Sequence, residues 1–292
     1  MTRMPRQAGV TLIEMAIVIA LVGILGALIV QFLSPVRSYV DTSRRAALAD
    51  TADTALRRIG RDVRLALPNS TRVTTAGGTY FLEFVLVRTG GRYRAEADPA
   101  ATNTCPSGSG STPDEDVLSF TAADTCFKSI GSIPNISSVK TSDYLVVYNL
   151  PAGTANADVY EFTGTGGNKA QIDTGTAGSM VKFVSHAFTY DSPGRRFYIV
   201  EGPVSYICDK SAGTLTRRWG YTLSATQPTS FTDGSSALMA SGVTDCSITY
   251  DSSLAAEDAG LVTLWLQLSA QVSGGGTEHA NLYHAVHVSN VP

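Results

Sequence analysis

The sequence has few charged side chains and no strong excess of one sign. Asp, Glu, Lys and Arg make up 16% of its 292 residues, and the formal net charge is −3, whereas about a quarter of an average globular protein is charged. No basic stripe is present, so the charge pattern does not favour nucleic-acid binding. The high content of Gly, Ser and Thr beside 43% hydrophobic residues favours an exported, β-rich protein with a sizeable core.

The motifs of common enzyme and metal sites are also missing. The chain has no C-x-x-C pair, no nucleophile elbow and no phosphate-binding loop. His284 and His287 lie three apart in a predicted strand, where they face opposite sides and make a poor metal pair. The acidic run at 114–116 is interpreted as a solvated loop rather than a calcium site. We therefore expect no enzyme activity, no cofactor and no metal.

One long hydrophobic run lies near the N-terminus. Residues 10–33 are long enough to cross a bilayer. Arg3 and Arg6 precede them, so the positive-inside rule places the N-terminus in the cytoplasm and the rest of the chain outside. Glu14 stands out in this run, because an acid costs roughly 2.5 kcal/mol or more at the centre of a bilayer. Its presence calls for a functional explanation.

All the cysteines follow the hydrophobic run. An even number of cysteines in an exported region favours disulfides. Three pairings are open, of which we predict the nearest-neighbour one, while buried free thiols are the alternative. The four residues, in their predicted pairs, are Cys105 with Cys126 and Cys208 with Cys246.

The pattern divides the chain into four segments. Residues 1–9 are a basic leader, 10–33 an apolar helix, 34–68 an amphipathic continuation of that helix, and 69–292 a β-rich head, in one lobe or two. Pro35 predicts a bend where the helix leaves the membrane. From residue 48 to 67 apolar side chains recur every three or four positions, and Pro68 follows as a stop.

A period near two after Pro68 predicts an antiparallel β domain. One hairpin is predicted from 79–88 and 92–97 around Thr89-Gly90-Gly91, and a second from 143–150 and 158–164. A third joins 260–270 to 278–289 through a glycine-rich turn. Three aromatic residues are interpreted as core or sheet-face side chains rather than a sugar platform: Trp219, Tyr221 and Trp265. The predicted class is α+β, with a long N-terminal helix followed by a large antiparallel β-rich domain.

The residues from Gly9 onward resemble the prepilin signal of type IV pilins and type II secretion pseudopilins. In that family a prepilin peptidase cuts a basic leader after Gly, the new N-terminus is N-methylated, and Glu is the fifth mature residue. Here Glu14 is fifth counting from Val10, which replaces the usual Phe. The resemblance implies cleavage between Gly9 and Val10, methylation of Val10, and pairing of Glu14 with the free α-amino group of Val10, which fixes register in a fibre.

Other segments are similar to the MshO type of minor pilin from the mannose-sensitive haemagglutinin (MSHA) pilus system. They are residues 39–73, 192–209 and 284–292. This similarity implies a minor pilin that initiates or caps the fibre near its tip and contributes to adhesion, with a surface glycan as a candidate ligand. The implied partners are the prepilin peptidase, the major and other minor pilins, the inner-membrane assembly platform and the membrane.

The resemblance also implies a location. Before assembly the chain would be a single-pass protein of the inner membrane with its head in the periplasm, and afterwards part of the pilus at the cell surface. Two alternatives stay open: a minor pseudopilin of type II secretion, and a tip adhesin that binds a surface glycan.

Overall fold

A single long helix, α1 (Leu12–Arg64), begins the fold in a computed structural model that describes residues 9–96, 117–161, 166–252, 259–271 and 276–292. Its 53 residues correspond to roughly 80 Å at 1.5 Å per residue. The helical backbone continues through Pro35 without a break. The bend predicted at that proline therefore stays a prediction.

The end of α1 is set by pairing with the head. The pattern predicts helix up to residue 67, but Ala66 forms an antiparallel bridge with Leu86. The backbone N–H of Leu67 donates to the carbonyl of Val85 at 2.8 Å. Because these backbone groups are used by the sheet, the helix ends before Pro68 is reached.

Of the residues of α1 whose side chains the structure describes, only those in its second half are buried against the head. One apolar stripe, spaced by three and four residues, has side chains that are at most 4% exposed: Ala52, Ala55, Leu56, Ile59 and Val63. A helix with such a stripe gains most of its stability from packing on a partner. This half of the helix therefore fixes the orientation of α1 on the β domain.

Twelve strands follow within the described residues, and all of their pairings are antiparallel. The fold-class prediction, a long N-terminal helix followed by a large antiparallel β domain, is confirmed. In chain order the strands are β1 (Arg72–Ala76), β2 (Thr79–Arg92), β3 (Asp124–Lys128), β4 (Tyr144–Val147), β5 (Lys169–Gln171), β6 (Met180–His186), β7 (Arg196–Asp209), β8 (Thr214–Trp219), β9 (Ser235–Ser241), β10 (Val243–Asp251), β11 (Ala259–Gln271) and β12 (Thr277–Ser289).

Strand β7 is the centre of a seven-stranded sheet. One of its edges pairs with β2, while the other pairs with β4 near its start and with β8 near its end. Strands β1, β5 and β9 extend the sheet beyond β2, β4 and β8. Since both halves of β7 carry neighbours on each side, this strand connects the two main cores of the head.

Those two cores differ in composition. The first lies between α1, the β2–β7–β8–β9 part of the large sheet and a three-stranded β10–β11–β12 sheet, and is mostly aliphatic. The second lies around β3 to β6 and the start of β7. It is built on packed rings, among them Phe127, Phe183, Phe188 and Phe197. The helix thus belongs to the first core only.

Strand β2 shows that the first predicted hairpin is wrong. The chain does not turn at Gly90 and Gly91 but continues through them to Arg92, paired with β7 across a bulge. A Cβ added at Gly90 would lie 2.7 Å from the carbonyl oxygen of Phe197. Glycine here permits close approach of two strands rather than a reversal of the chain.

The second predicted hairpin is also wrong in its described part. Strand β4 pairs with β5, with Leu145 opposite Ala170, whereas residues 151–160 form turns. Side chains supply the hydrogen bonds there: Asp158 accepts from the N–H of Gly153 at 2.9 Å, and Asn149 accepts from that of Val159 at 2.8 Å. Such local bonds compete with strand pairing.

The third hairpin is confirmed by the pairing of β11 with β12. The strands are in continuous register from Ala259 opposite Ser289 to Gln271 opposite Thr277. Every second residue of β11 is buried and joins the first core. The other side chains of β11 face away from α1, as the pleat of a strand requires.

A disulfide connects the two sheets. Cys208 of β7 is bonded to Cys246 of β10, with the Cα atoms 6.7 Å apart, as predicted. Cys126 is also disulfide-bonded, and its predicted partner, Cys105, lies outside the described residues. None of the described cysteines is a free thiol, so the alternative of free thiols is wrong for these three.

Removal of the buried disulfide will destabilise the head. The bond closes a loop with a sequence separation of 38 residues, for which the chain-entropy relation gives about 4 kcal/mol. We expect the Cys208→Ala/Cys246→Ala variant to lose about that much free energy of unfolding, measured by urea titration of the full chain in detergent with tryptophan fluorescence. A loss below about 1 kcal/mol would contradict an important stabilising role.

Candidate functional site

The first described residues form an exposed, extended stretch directly before α1. Gly9 and Val10 are outside the helix, and Val10 is 67% exposed. Thr11 is the N-cap residue, with φ −79° and ψ 150°, and its carbonyl accepts from the N–H groups of Glu14 and Met15 at 3.1 Å each. The predicted cleavage bond, between Gly9 and Val10, is therefore in an accessible segment of the kind that a peptidase binds.

Glu14 lies in the first turn of α1 and is exposed. A carboxylate there interacts favourably with the positive end of the helix dipole. Within the described residues Glu14 forms no ion pair. Its predicted partner is the α-amino group of Val10, and that group does not exist while Val10 is still joined to Gly9. The pairing stays a prediction for the cleaved chain.

The helix that carries Glu14 is exposed and apolar for several turns. Leu12–Ile29 is long and apolar enough to cross a membrane, with a mean hydropathy of 2.7, and none of it is buried in the chain. An exposed apolar surface of this size marks a segment that contacts lipid or another protein. The arrangement fits membrane anchoring before assembly.

The other half of α1 is attached to the head by a partly buried polar cluster. The hydroxyl of Tyr206 donates to Asp62 Oδ2 at 2.7 Å, and Arg217 Nε donates to the same oxygen at 2.8 Å. Burial, with the nearby Asp62 carboxylate as a further cause, raises the pKa of Tyr206 well above its ordinary value. Its hydroxyl therefore stays protonated and remains a donor to the helix.

A second attachment lies near the middle of α1. Arg45 forms an ion pair with Glu278 of β12 at 2.6 Å, and Arg44 donates to the carbonyl of Gln271 at the end of β11 at 3.0 Å. The Arg45 pair is solvent-exposed, so it adds little stability. Together with the contacts of Asp62, it attaches the amphipathic half of α1 to the head at two separate places.

Among the described residues of the head, the most deeply buried charge is that of Glu83 on β2. Arg72 Nε donates to its Oε2 at 2.6 Å, and the Tyr221 hydroxyl donates to its Oε1 at 2.7 Å. Burial raises the pKa of Glu83, while the Arg72 charge and both hydrogen bonds oppose that change. Arg72 also donates to the carbonyls of Ser224 and Ala225 at 2.8 and 2.7 Å.

This cluster is an internal cross-link rather than an active site. Glu83 has no exposed surface, and both of its oxygens accept hydrogen bonds from the head itself. The guanidinium of Arg72 is also stacked on Tyr160, 3.5 Å from the ring centroid. Sequence reasoning missed the cluster, although one signal was present: Glu83 is the only acid in the apolar run of β2.

The other residues considered from the sequence do not converge on a site. Among the described residues no group of three His, Cys, Asp or Glu could hold a metal ion. His284 packs on the helix, where a Cβ added at Gly60 would lie 2.7 Å from its Nε2, whereas His287 is exposed. The acidic run at 114–116 lies outside the described residues.

The three aromatic residues occupy core or sheet-face positions. Tyr221 is buried, and its hydroxyl is used by Glu83. The ring of Trp219 lies beside Arg217, 5.1 Å from the guanidinium carbon, and Trp265 is half-buried on β11. These positions give no shared platform for a sugar.

Comparison with known proteins identifies the N-terminal segment. Residues 4–30 match the family described as "Prokaryotic N-terminal methylation motif". No curated protein matches the chain, and no solved structure does. The match covers Gly9, Val10, Glu14 and the apolar first half of α1. The chain therefore carries a type IV pilin-like prepilin signal, which supports a pilin or pseudopilin, a structural protein processed by a prepilin peptidase and assembled with other pilins.

Proposed function

We propose that this chain is a minor pilin of a type IV pilus of the MSHA type. The observation that carries the proposal is the methylation motif at residues 4–30. It lies on an exposed cleavage segment and on the apolar first part of α1, Leu12–Ile29, none of whose residues is buried in the chain. Cleavage after Gly9 frees the α-amino group of Val10, which is then methylated. The apolar half of α1 leaves the membrane and packs among the helices of the fibre.

In this proposal Glu14 fixes the axial register of the helix. Its carboxylate is exposed in the free chain but becomes surrounded by apolar helices in the fibre. A buried carboxylate needs a cation, and breaking such a pair is strongly destabilising. The α-amino group of Val10, on the same or a neighbouring subunit, supplies it. Any axial slip would leave both charges unpaired.

The size of the head suggests its place in the fibre. Residues 69–292 are carried on the amphipathic half of a single helix, and a head this large would hinder lateral packing along a shaft. At an end of the fibre this hindrance is absent, because the head does not have to pack between neighbours on every side. We therefore place the subunit at or near the tip, where it initiates or caps the fibre together with other minor pilins.

The location follows from the same scheme. Before assembly the apolar half of α1 spans the inner membrane, with the N-terminus in the cytoplasm and the head in the periplasm. The assembly platform then extracts the cleaved subunit. A disulfide between β7 and β10 is consistent with an oxidising compartment for the head.

Immunogold labelling of sheared pili with antibodies against the head tests the tip assignment. We expect gold particles at fibre ends, and none on pili from a strain that lacks the gene. Label along the whole shaft would contradict the assignment.

A minor pseudopilin of type II secretion is the second candidate, because the same motif supports it. That candidate predicts unlabelled pili and loss of protein export in the deletion strain. The pilus proposal predicts unchanged export in the same strain.

A further inference from the structure

An open cleft lies just beyond the C-terminal end of α1. Its volume is about 450 Å³, and Leu65, the first residue after the helix, is part of its lining. The rest comes mainly from the end of β2 and the start of β7. The cleft is therefore at the end of the helix opposite to the apolar segment Leu12–Ile29.

Arginine side chains surround this cleft. Arg92 of β2 and Arg196 of β7 are directly opposite each other in the antiparallel register and both line the cleft. Residues paired in this way have Cα atoms about 5 Å apart, and like charges at such positions repel. The repulsion is relieved when one anion lies between the two guanidinium groups.

The two arginines are not neutralised by the head. Arg88, the third arginine of the cleft, pairs with Asp143 at 2.7 Å and with Glu201 at 3.4 Å. Across the described part of the chain, by contrast, neither Arg92 nor Arg196 forms an ion pair. Arg92 is exposed. This concentration of positive charge is unusual in a chain whose net charge is −3.

Two glycines, Gly90 and Gly91, are part of the lining of the cleft. An added Cβ would meet the Phe197 carbonyl oxygen at 2.7 Å in one case and the Phe197 ring at 3.0 Å in the other. Tyr198 lies beside Gly90, with Cδ1 3.3 Å from the position of an added Cβ. The cleft thus combines half-buried glycine backbone, one half-buried aromatic ring and two guanidinium groups without an ion pair in the described part of the chain. One of the two, that of Arg196, hydrogen-bonds the Tyr198 side chain.

We propose that this cleft binds carboxylate groups of an acidic polysaccharide. Guanidinium groups bind planar carboxylates with two parallel hydrogen bonds, and the half-buried Tyr198 ring beside Gly90 can contact a sugar ring. The lining also contains apolar side chains, among them Leu65, Val87 and Pro134, so an acidic peptide is the competing ligand and is measured beside the polysaccharide.

The position of the cleft gives the binding a biological role. If the subunit is at the tip, the end of the head opposite to the membrane segment faces the surroundings of the cell. The biological role of the cleft therefore rests on the proposed function, but binding itself does not. It can be measured on the isolated chain whether or not the chain is incorporated into pili.

The test uses the full chain in detergent and a hexamer of galacturonic acid, titrated by calorimetry. We expect saturable binding that weakens as NaCl is added, because salt screens exposed charges. The Arg92→Gln/Arg196→Gln variant is expected to bind at least tenfold more weakly. Arg58→Gln, a change at an exposed arginine of α1, is the matched control and should bind like the unchanged chain.

Several outcomes would overturn the proposal. They are no saturable binding, equal affinity of the double variant, equal affinity for an uncharged galactose hexamer, and equal or tighter binding of hexaglutamate or of a single-stranded oligonucleotide. Circular dichroism and the unfolding midpoint of each variant show that the fold is retained. If the titration fails, the tip assignment is unaffected, because immunogold labelling tests it separately. If the label lies along the shaft, the binding result is likewise unaffected.

Discussion

The Gly9→Arg variant will accumulate with its leader attached and will not enter pili. Gly9 lies in an exposed, extended stretch directly before α1, and it has no atoms within 4 Å of an added Cβ. The folded chain therefore has space for a larger side chain at this position. Any defect in processing then arises because the peptidase does not accept that side chain. An enzyme that binds a small residue at the cut excludes the long, charged arginine.

The measurement is the mass of the chain recovered from membranes. Mature chain begins at Val10 and lacks nine residues, so mass spectrometry separates it from the precursor. Gly9→Ala is the matched control, because alanine is also small, and it should be cleaved at least in part. Mature-length chain from Gly9→Arg would exclude cleavage after this residue.

The Glu14→Leu variant will be cleaved normally but will be absent from the fibre. Leucine is compatible with a membrane segment and removes the cost of an acid in lipid, so anchoring and processing are retained. In the fibre, however, the α-amino group of Val10 would be left as an unpaired charge among apolar helices. Leaving one partner of a buried pair alone costs roughly 3–5 kcal/mol, which is enough to exclude the subunit from assembly.

Immunoblots of sheared pili and of membranes measure this effect. We expect mature Glu14→Leu chain in the membrane fraction only. Asp50→Asn, a change at an exposed acid farther along α1, is the control and should enter pili in normal amounts. Equal amounts of Glu14→Leu and unchanged chain in the sheared fraction would show that Glu14 does not fix register.

The two variants together test whether Gly9 and Glu14 are both needed to form one ion pair in the fibre. Cleavage after Gly9 creates the cation that Glu14 needs. Uncleaved Gly9→Arg and cleaved Glu14→Leu should therefore share the same defect in assembly, although one lacks the amine and the other lacks the carboxylate. A defect in one variant only would separate the two roles.

The head shows where reasoning from sequence succeeded and where it failed. The β11–β12 hairpin follows from alternation of apolar side chains, because a strand buried on one face requires that period. Gly90 and Gly91 misled the prediction, since glycine signals both turns and close strand approach. The close approach depends on Phe197, which is distant in sequence.

The polar clusters could not be predicted either, because their members are distant in sequence. Asp62, Tyr206 and Arg217 lie in three separate elements, and nothing in their local sequence indicates that they meet. The same holds for Arg92 and Arg196. They do not belong to a basic stripe in the sequence, and they become neighbours only through the register of β2 with β7.

The sequence alone determined the N-terminal signal, the helix that carries it and the α+β class. A signal peptide is read as a linear motif, and a helix forms its hydrogen bonds within a few residues, so both depend on neighbours along the chain. The tertiary structure decided the end of α1, the partners of β2 and β4, the charge pair that holds the helix and the cleft beyond it. Each of these depends on backbone pairing or burial between residues that are distant in sequence, and only the folded chain brings those residues together.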